Sequence, residues 1–527
     1  MRHKGEDRLM RETAGFETFD AFFRHWAEVK PDAVAQEQDG RITTYADIEA
    51  FSRRFAAFLA AHGVVKGDRV AWIGKNCDLY FQMLLSCGRI GVVMVPIGWR
   101  LAPAEMAYIL EDTRAKLVFA GEGFEAVSHQ LAAEAPQRPQ VIEEAEARAA
   151  IPTCPAGAVT AAEPEAAFLQ LYTSGTTGRP KGAVLCQRNF MGLRAPALDA
   201  ELPWAEWDDD EAILVCMPCA HIGGTGLGTM AFCAGVRAIV QAEFTADGAL
   251  TAIGQGITRF FIVPAALQML IQHPKATETD FTRLKYVMYG AAPIPLELLR
   301  QAVTTIPNAS FMQCYGMTET TGTIAVLPPS DHDLEGNARM RSAGKASPGV
   351  EIRIVDSEGK EVPRRTVGEI QTRSAANMLH YWQLPEATAK TMTADGWVCT
   401  GDAAYMDEDG YVFIQDRIKD MIISGGENVY PAEVESAIYG HPQVAEVAVI
   451  GVPDARWGEA VKACVVPREG CEVDEASVIA WARERIAGFK VPKSVDVIPA
   501  LPRNPSGKIL RRNLREPYWE GMDRQVN

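Results

Sequence analysis

Asp68-Arg69-Val70-Ala71-Trp72-Ile73-Gly74 is an apolar run of strand length that closes on glycine, and Ala115-Lys116-Leu117-Val118-Phe119-Ala120-Gly121 repeats the pattern. Between them, residues 80–90 carry helical spacing, 92–97 form another apolar run, and 104–110 are helical again. Short continuous apolar runs suit strands buried on both faces, and strands alternating with helices imply βαβ units and mostly parallel sheets. Residues 132–167, rich in Ala, Glu and Pro with weak periodicity, read as a linker or surface excursion. The alternation resumes at Phe168 and continues through 212–217, 238–241, 259–263 and 286–289.

After Gly344 the texture changes. Val350-Glu351-Ile352-Arg353-Ile354-Val355 alternates with period two, Asp356-Ser357-Glu358-Gly359 supplies a turn, and 368–372 and 411–414 are further short strands. That is the pattern of a small antiparallel or barrel-like unit. From Arg417 a compact α+β segment begins, with a helix opening at Pro431 and strands at 444–452, 461–466 and 495–498. The expected fold is α/β. A large N-terminal domain (1–416) holds two parallel-sheet αβ subdomains (1–167 and 168–343) and a β-barrel-like subdomain (344–416), followed by a small α+β C-terminal domain (417–527). At 527 residues the chain exceeds the roughly 250–300 at which a single core stops growing, so several units are required.

The formal net charge of −16 argues against nonspecific nucleic-acid binding, which needs a basic footprint. An anionic ligand must then be held by local cations and backbone N–H groups. Eleven scattered cysteines point to free thiols in a reducing compartment, and Cys216-Met217-Pro218-Cys219, lacking a second pair or nearby histidines, reads as two core thiols. The charged start of the chain has no apolar stretch behind it, and the apolar runs fall short of the roughly 20 residues a membrane span needs. A cytoplasmic enzyme without an integral membrane segment is expected. Oligomeric state is open, a homodimer included.

The strongest local signal is Tyr172-Thr173-Ser174-Gly175-Thr176-Thr177-Gly178-Arg179-Pro180-Lys181-Gly182, which follows the strand-like Ala167-Phe168-Leu169-Gln170-Leu171. Glycines let backbone approach an anion, hydroxyls donate to it, and lysine supplies the counter-charge. The spacing is not that of a Walker A loop. The run resembles the phosphate-binding loop of the adenylate-forming superfamily of acyl-CoA synthetases, peptide-synthetase adenylation domains and luciferases. Further segments resemble that family in its own order, from near Phe16 to near Arg512.

The resemblance implies roles for these residues. Thr173, Ser174, Gly175, Thr176, Thr177, Gly178 and Lys181 would hold the phosphates of ATP, and Gly290, Ala291 and Ala292 would line the adenine pocket. In Tyr315-Gly316-Met317-Thr318-Glu319, Tyr315 would stack on adenine, Gly316 and Met317 would lie along the nucleotide, Thr318 would reach phosphate, and Glu319 would bind Mg²⁺ with Thr173 as second contact. Asp402 would accept from both ribose hydroxyls, with Ile414 and Arg417 beside the nucleotide. Lys419 occupies the hinge of a mobile C-terminal domain, close to Asp416, where many relatives carry glycine. Ser424, Gly425, Gly426 and Glu427 would guide the thiol arm of coenzyme A, and Lys508 would serve the first half-reaction. Taken alone, most of these segments would be ordinary polar turns; their shared order makes the case.

His221, Ile222, Gly223, Val263, Met288 and Met317 are expected to form the acyl pocket, with His221 gating it or positioning the carboxylate. Gly226-Leu227-Gly228-Thr229-Met230-Ala231 fits a loose dinucleotide fingerprint but lacks the strand–turn–helix context. No acidic residue near His221 offers an ammonium partner, so a fatty, aryl or other bulky hydrophobic acid is expected rather than an amino acid. The implied activity is ATP-dependent acid–CoA ligation with ATP, Mg²⁺ and coenzyme A. The alternatives are an acyl-AMP ligase loading a carrier protein and a noncatalytic nucleotide-binding member of the fold.

Overall fold

The computed structural model describes residues 11–173, 179–333, 337–503 and 509–520, and of Lys419 only the backbone. Nine strands form the larger sheet, in the order Lys345–Ala346, Gly322–Leu327, Ser310–Met317, Tyr286–Gly290, Arg259–Ile262, Ala212–Val215, Arg237–Val240, Val34–Gln38 and Arg41–Thr44. The six strands from Ser310–Met317 to Val34–Gln38 run parallel, and antiparallel strands close both edges. A seven-stranded sheet follows the order His380–Tyr381, Lys181–Cys186, Ala167–Thr173, Val93–Gly98, Arg69–Gly74, Leu117–Ala120 and Gln140–Glu143.

The two sheets do not divide the chain at 167/168. Strands Ala167–Thr173 and Lys181–Cys186 join the sheet of residues 69–143, whereas Val34–Gln38 pairs in parallel with Arg237–Val240. The stretch 132–167 is also more structured than its composition suggests. Gln140–Glu143 adds a parallel strand beside Leu117–Ala120, and Glu144–Ala150 is helical. Its outward side chains are half-exposed, so the apolar contrast that marks the inner strands is missing.

One apolar core joins the sheets, with Trp72, Met94, Phe119 and Leu169 from the smaller and Ile213, Val215, Met288 and Met312 from the larger. Helix Asp78–Ile90 is buried on every face, and its polar residues Asp78, Gln82, Ser86 and Arg89 are buried with the apolar ones. It meets helices Phe19–Val29 and Ile222–Ala234 at glycines. A Cβ on Gly88 would lie 2.2 Å from the Phe19 ring, and one on Gly228 would lie 2.3 Å from the Phe81 ring. Gly226 to Ala231 thus sit inside a packing helix, and the dinucleotide pattern has a structural cause. Cys216 and Cys219 are buried, and burial pushes both thiols up to about 12, which suppresses the thiolate that metal or redox chemistry needs.

Strands Glu351–Val355, Gly368–Arg373, Val398–Met406 and Val412–Arg417 form an antiparallel sheet. Beyond it, Glu427–Val429, Ile422–Ser424, Gly458–Pro467 and Val444–Asp454, with Ser494–Val497 parallel to Gly458–Pro467, make a five-stranded sheet with its own core. Among the described residues, no helix is long and apolar enough to cross a membrane.

Candidate functional site

In the larger sheet, four neighbouring parallel strands end together, and open α/β sheets place ligands beyond such carboxyl ends. The segments that follow are His221 onward after Ala212–Val215, Val263 after Arg259–Ile262, Gly290-Ala291-Ala292 at the end of Tyr286–Gly290, and Met317 and Thr318 at the end of Ser310–Met317. Backbone approach here is close. A Cβ on Gly290 would lie 2.0 Å from the Cys314 carbonyl oxygen, and one on Gly316 would lie 1.7 Å from that of Gly322. Ala291 holds a left-handed φ of 65°, strained for a residue with a Cβ. Gly316→Ala is therefore expected to destabilise the fold by about 1–3 kcal/mol, seen as a lower calorimetric melting temperature. An unchanged melting temperature would show that the turn can yield.

The polar centre forms where the sheets meet. Thr173 and Lys181 are register partners on a hairpin whose connecting residues Ser174, Gly175, Thr176, Thr177 and Gly178 lie outside the described residues. Thr318 and Glu319 sit on the single turn Thr318–Thr320, and Glu319 is 4% exposed. The Thr173 hydroxyl donates to Glu319 Oε1 at 3.3 Å, and the Tyr381 hydroxyl donates to the same oxygen at 2.6 Å. Lys181 Nζ stands 4.2 Å from the centre of the Tyr381 ring. Burial lowers the Lys181 pKa, opposed by the Glu319 charge.

These donors suit Mg²⁺, which prefers hard oxygen ligands in small number and shares itself with phosphate. Among the described residues, no group of three or more His, Cys, Asp or Glu side chains could cage an ion by itself.

A second polar group lies alongside. The Tyr315 hydroxyl donates to Asp402 Oδ2 at 2.6 Å, and Arg417 Nε stands 2.8 Å from Asp402 Oδ1. Asp402 and Arg417 are register partners on adjacent strands. Asp402 raises the Arg417 pKa, and burial raises that of the Tyr315 hydroxyl, so it stays a donor. Ile414 and Tyr315 pack on the same small core of Ile354, Ile370 and Val412.

His221 stands at the residue before helix Ile222–Ala234, without a capping bond from its side chain, so the segment expected as a pocket wall is the first turn of a helix. A Cβ on Gly223 would meet the Phe261 ring at 3.1 Å, which puts Phe261 beside the expected acyl residues. Met288 is buried, whereas Val263, Met317 and Ile222 are half-buried. Sequence patterns overlooked both Phe261 and Tyr381. Phe261 lies within an apolar strand run that does not show which face it serves, and Tyr381 reaches Glu319 only through sheet pairing.

Farther along, Ser424 and Glu427 flank a two-residue hairpin whose Gly425 and Gly426 have φ of 62° and 86°, the region glycine favours. The Gly425 N–H donates to the Trp457 carbonyl at 2.8 Å. Asp416 does not have a positive φ, so its backbone has no need of glycine. Its carboxylate accepts from the Arg417 N–H at 2.7 Å and the Ala432 N–H at 2.8 Å and lies 3.6 Å from Arg511. Burial raises the Asp416 pKa to about 6. Lys508 and the Lys419 side chain lie outside the described residues.

The AMP-binding enzyme family matches residues 23–382, and the AMP-binding enzyme C-terminal domain matches 433–508. The chain belongs to this adenylate-forming acyl-CoA synthetase superfamily. It is similar to the fatty acid–[acyl-carrier-protein] ligase ScoC of Streptomyces coeruleorubidus, at 41% identity over 95% of this chain and 96% of that one. The feruloyl-CoA synthase of an Amycolatopsis species is 39% identical over 93% of this chain and 97% of its own. Among solved structures, ATP-bound MatB from Rhodopseudomonas palustris has a TM-score of 0.85 at 31% identity, covering 95% and 99% of the two chains. The apo form of MatB has a TM-score of 0.75. The protein is an AMP-forming ligase, of the group whose members use coenzyme A or a carrier protein.

Proposed function

We propose that the protein activates a hydrophobic carboxylic acid with ATP and passes the acyl group to the thiol of coenzyme A. The observation that carries this reading is the meeting of Thr173, Lys181 and Glu319 in one polar centre, beside the Tyr315–Asp402–Arg417 group.

In the first step a carboxylate oxygen bonds to the α-phosphorus as the bond to pyrophosphate breaks, so catalysis is mainly positioning and charge stabilisation. Lys181 and the hairpin residues 174–178 hold the leaving phosphates, Thr318 reaches phosphate, and Lys508 bridges the carboxylate and the α-phosphoryl group. Bound at Glu319 and Thr173, Mg²⁺ would supply positive charge against the developing pyrophosphate. Tyr315, Gly290, Ala291 and Ala292 hold adenine, and Asp402 and Arg417 hold ribose. In the second step the thiol sulfur bonds to the acyl carbon, AMP leaves with the electron pair, and the thiol proton is released.

The neutral first turn after His221, with Ile222 and Phe261 packed on the apolar cluster that holds Met288, supports a hydrophobic acyl group, since that turn offers no carboxylate to an α-ammonium. The test is pyrophosphate release from ATP with a panel of acids, with and without coenzyme A. Release with fatty or aryl acids and an acyl-CoA product is expected; no release with any acid would end the proposal. A carrier protein is a second reading of the acceptor, favoured by the similarity to ScoC, and it predicts adenylate that loads a phosphopantetheinyl carrier but not coenzyme A.

Residues 417–527 are proposed to turn about Lys419 between the steps, bringing Ser424, Gly425, Gly426 and Glu427 to the thiol arm. The closer match to ATP-bound than to apo MatB supports assigning the present arrangement to the adenylating step. Lys419→Pro, which fixes φ, is expected to slow thioester formation at least tenfold in stopped flow while adenylation changes little. Unchanged thioester formation would remove the hinge from this position.

A further inference from the structure

We propose that Tyr381 is a positioning residue for the metal site, holding Glu319 so that its second carboxylate oxygen faces the metal and the phosphates. The inference rests on the reading of Glu319 as a metal ligand and adds a residue to it. Tyr381 is buried, at 3% exposure, and donates to Oε1 alone at 2.6 Å. It shares that oxygen with Thr173, so Oε1 is occupied from the protein side and Oε2 is the oxygen left for a cation.

The backbone around Tyr381 is tied to the same elements. The Met378 N–H donates to the Glu319 carbonyl at 2.8 Å, and the Leu379 and Trp382 N–H groups donate to the Val184 and Gly182 carbonyls at 2.9 and 2.7 Å. Segment 378–382 therefore spans the Glu319 turn and the strand that begins at Lys181. Through its ring, Tyr381 also touches Lys181. With its hydroxyl on Glu319 and its ring under Lys181, this side chain sets the relative place of carboxylate and ammonium before substrate arrives. Its action is on orientation, as ligand-orienting partners act at metal sites generally.

The test compares Tyr381→Phe, Tyr381→Leu and Glu319→Gln with the unaltered chain. Phenylalanine keeps the ring over Lys181 and removes only the hydroxyl. Metal binding is read directly, by electron paramagnetic resonance of Mn²⁺ added with ATP, and by the Mg²⁺ concentration giving half-maximal pyrophosphate release. Tyr381→Phe is expected to weaken metal binding about tenfold or more, with binding of a fluorescent ATP analogue unchanged when metal is absent. Tyr381→Leu should show the same metal shift and, in addition, weaker metal-free nucleotide binding from the lost Lys181 contact.

Measurements at 10 °C, with melting recorded for each variant, keep both variants readable when one is less stable. If Glu319→Gln weakens Mn²⁺ binding and neither Tyr381 variant does, the positioning role is overturned while the metal site stands. If Glu319→Gln leaves Mn²⁺ binding unchanged, the metal reading and this inference both fall.

Discussion

Lys508→Ala is expected to slow adenylate formation by about 10²–10³-fold, the loss typical of one preorganised donor at a developing charge. Thioester formation from supplied acyl-adenylate should fall by far less, because the α-phosphoryl bond is already made. The comparison needs two assays: pyrophosphate release from ATP and acid, and coenzyme A consumption with synthetic adenylate. Equal losses would mean that the lysine serves the fold or both steps, and the division of labour between domain orientations would have to be abandoned.

The second large effect is expected at Glu319. Its carboxylate is almost wholly buried, and two hydroxyls converge on one of its oxygens. Glu319→Gln keeps the shape and removes the charge, and should lower the rate of pyrophosphate release about 10²–10³-fold at ordinary Mg²⁺. Raised Mg²⁺ should restore part of the loss, and chelation of divalent ions should silence the unaltered enzyme. A variant that matches the unaltered rate at all Mg²⁺ concentrations would place the metal elsewhere.

The inner strands were the most legible part of the sequence. Apart from Arg69 and the half-buried Tyr286, Arg69–Gly74, Leu117–Ala120 and Tyr286–Gly290 are buried runs without charge, so their texture alone announces them. Gln140–Glu143 escaped because an edge strand is wet on one side and lies among Ala and Glu. The hairpin of Val34–Gln38 and Arg41–Thr44 carries a readable cue, Asp39-Gly40 with both residues at positive φ, but its parallel partner lies about two hundred positions away and no local pattern indicates it.

For the site, the polar segments could be read as loops with cations and hydroxyls, and the structure brings Thr173, Lys181 and Glu319 together across 146 positions of chain. The contribution of Tyr381 was not legible. Its neighbours in sequence form no recognisable pattern, and its contact with Glu319 depends on a two-residue strand added to the sheet edge. Phe261 illustrates the other limit: an apolar residue in an apolar run belongs to core or pocket according to which face it occupies, and that is settled only in three dimensions.

The interleaving of the two large sheets bears on how the molecule is made. The smaller sheet needs residues from 69 to 381, and the larger needs residues from 34 to 346. A ribosome working from the N-terminus therefore delivers Val34–Gln38 long before Arg237–Val240, the strand it must lie beside. Neither sheet can be completed as an early module, and both emerge with apolar edges waiting for late arrivals. Pieces of this chain cut near its middle should be sticky and poorly folded, whereas a break between the four-stranded and the five-stranded sheet, after Val412–Arg417, would leave each side with its full set of strand partners.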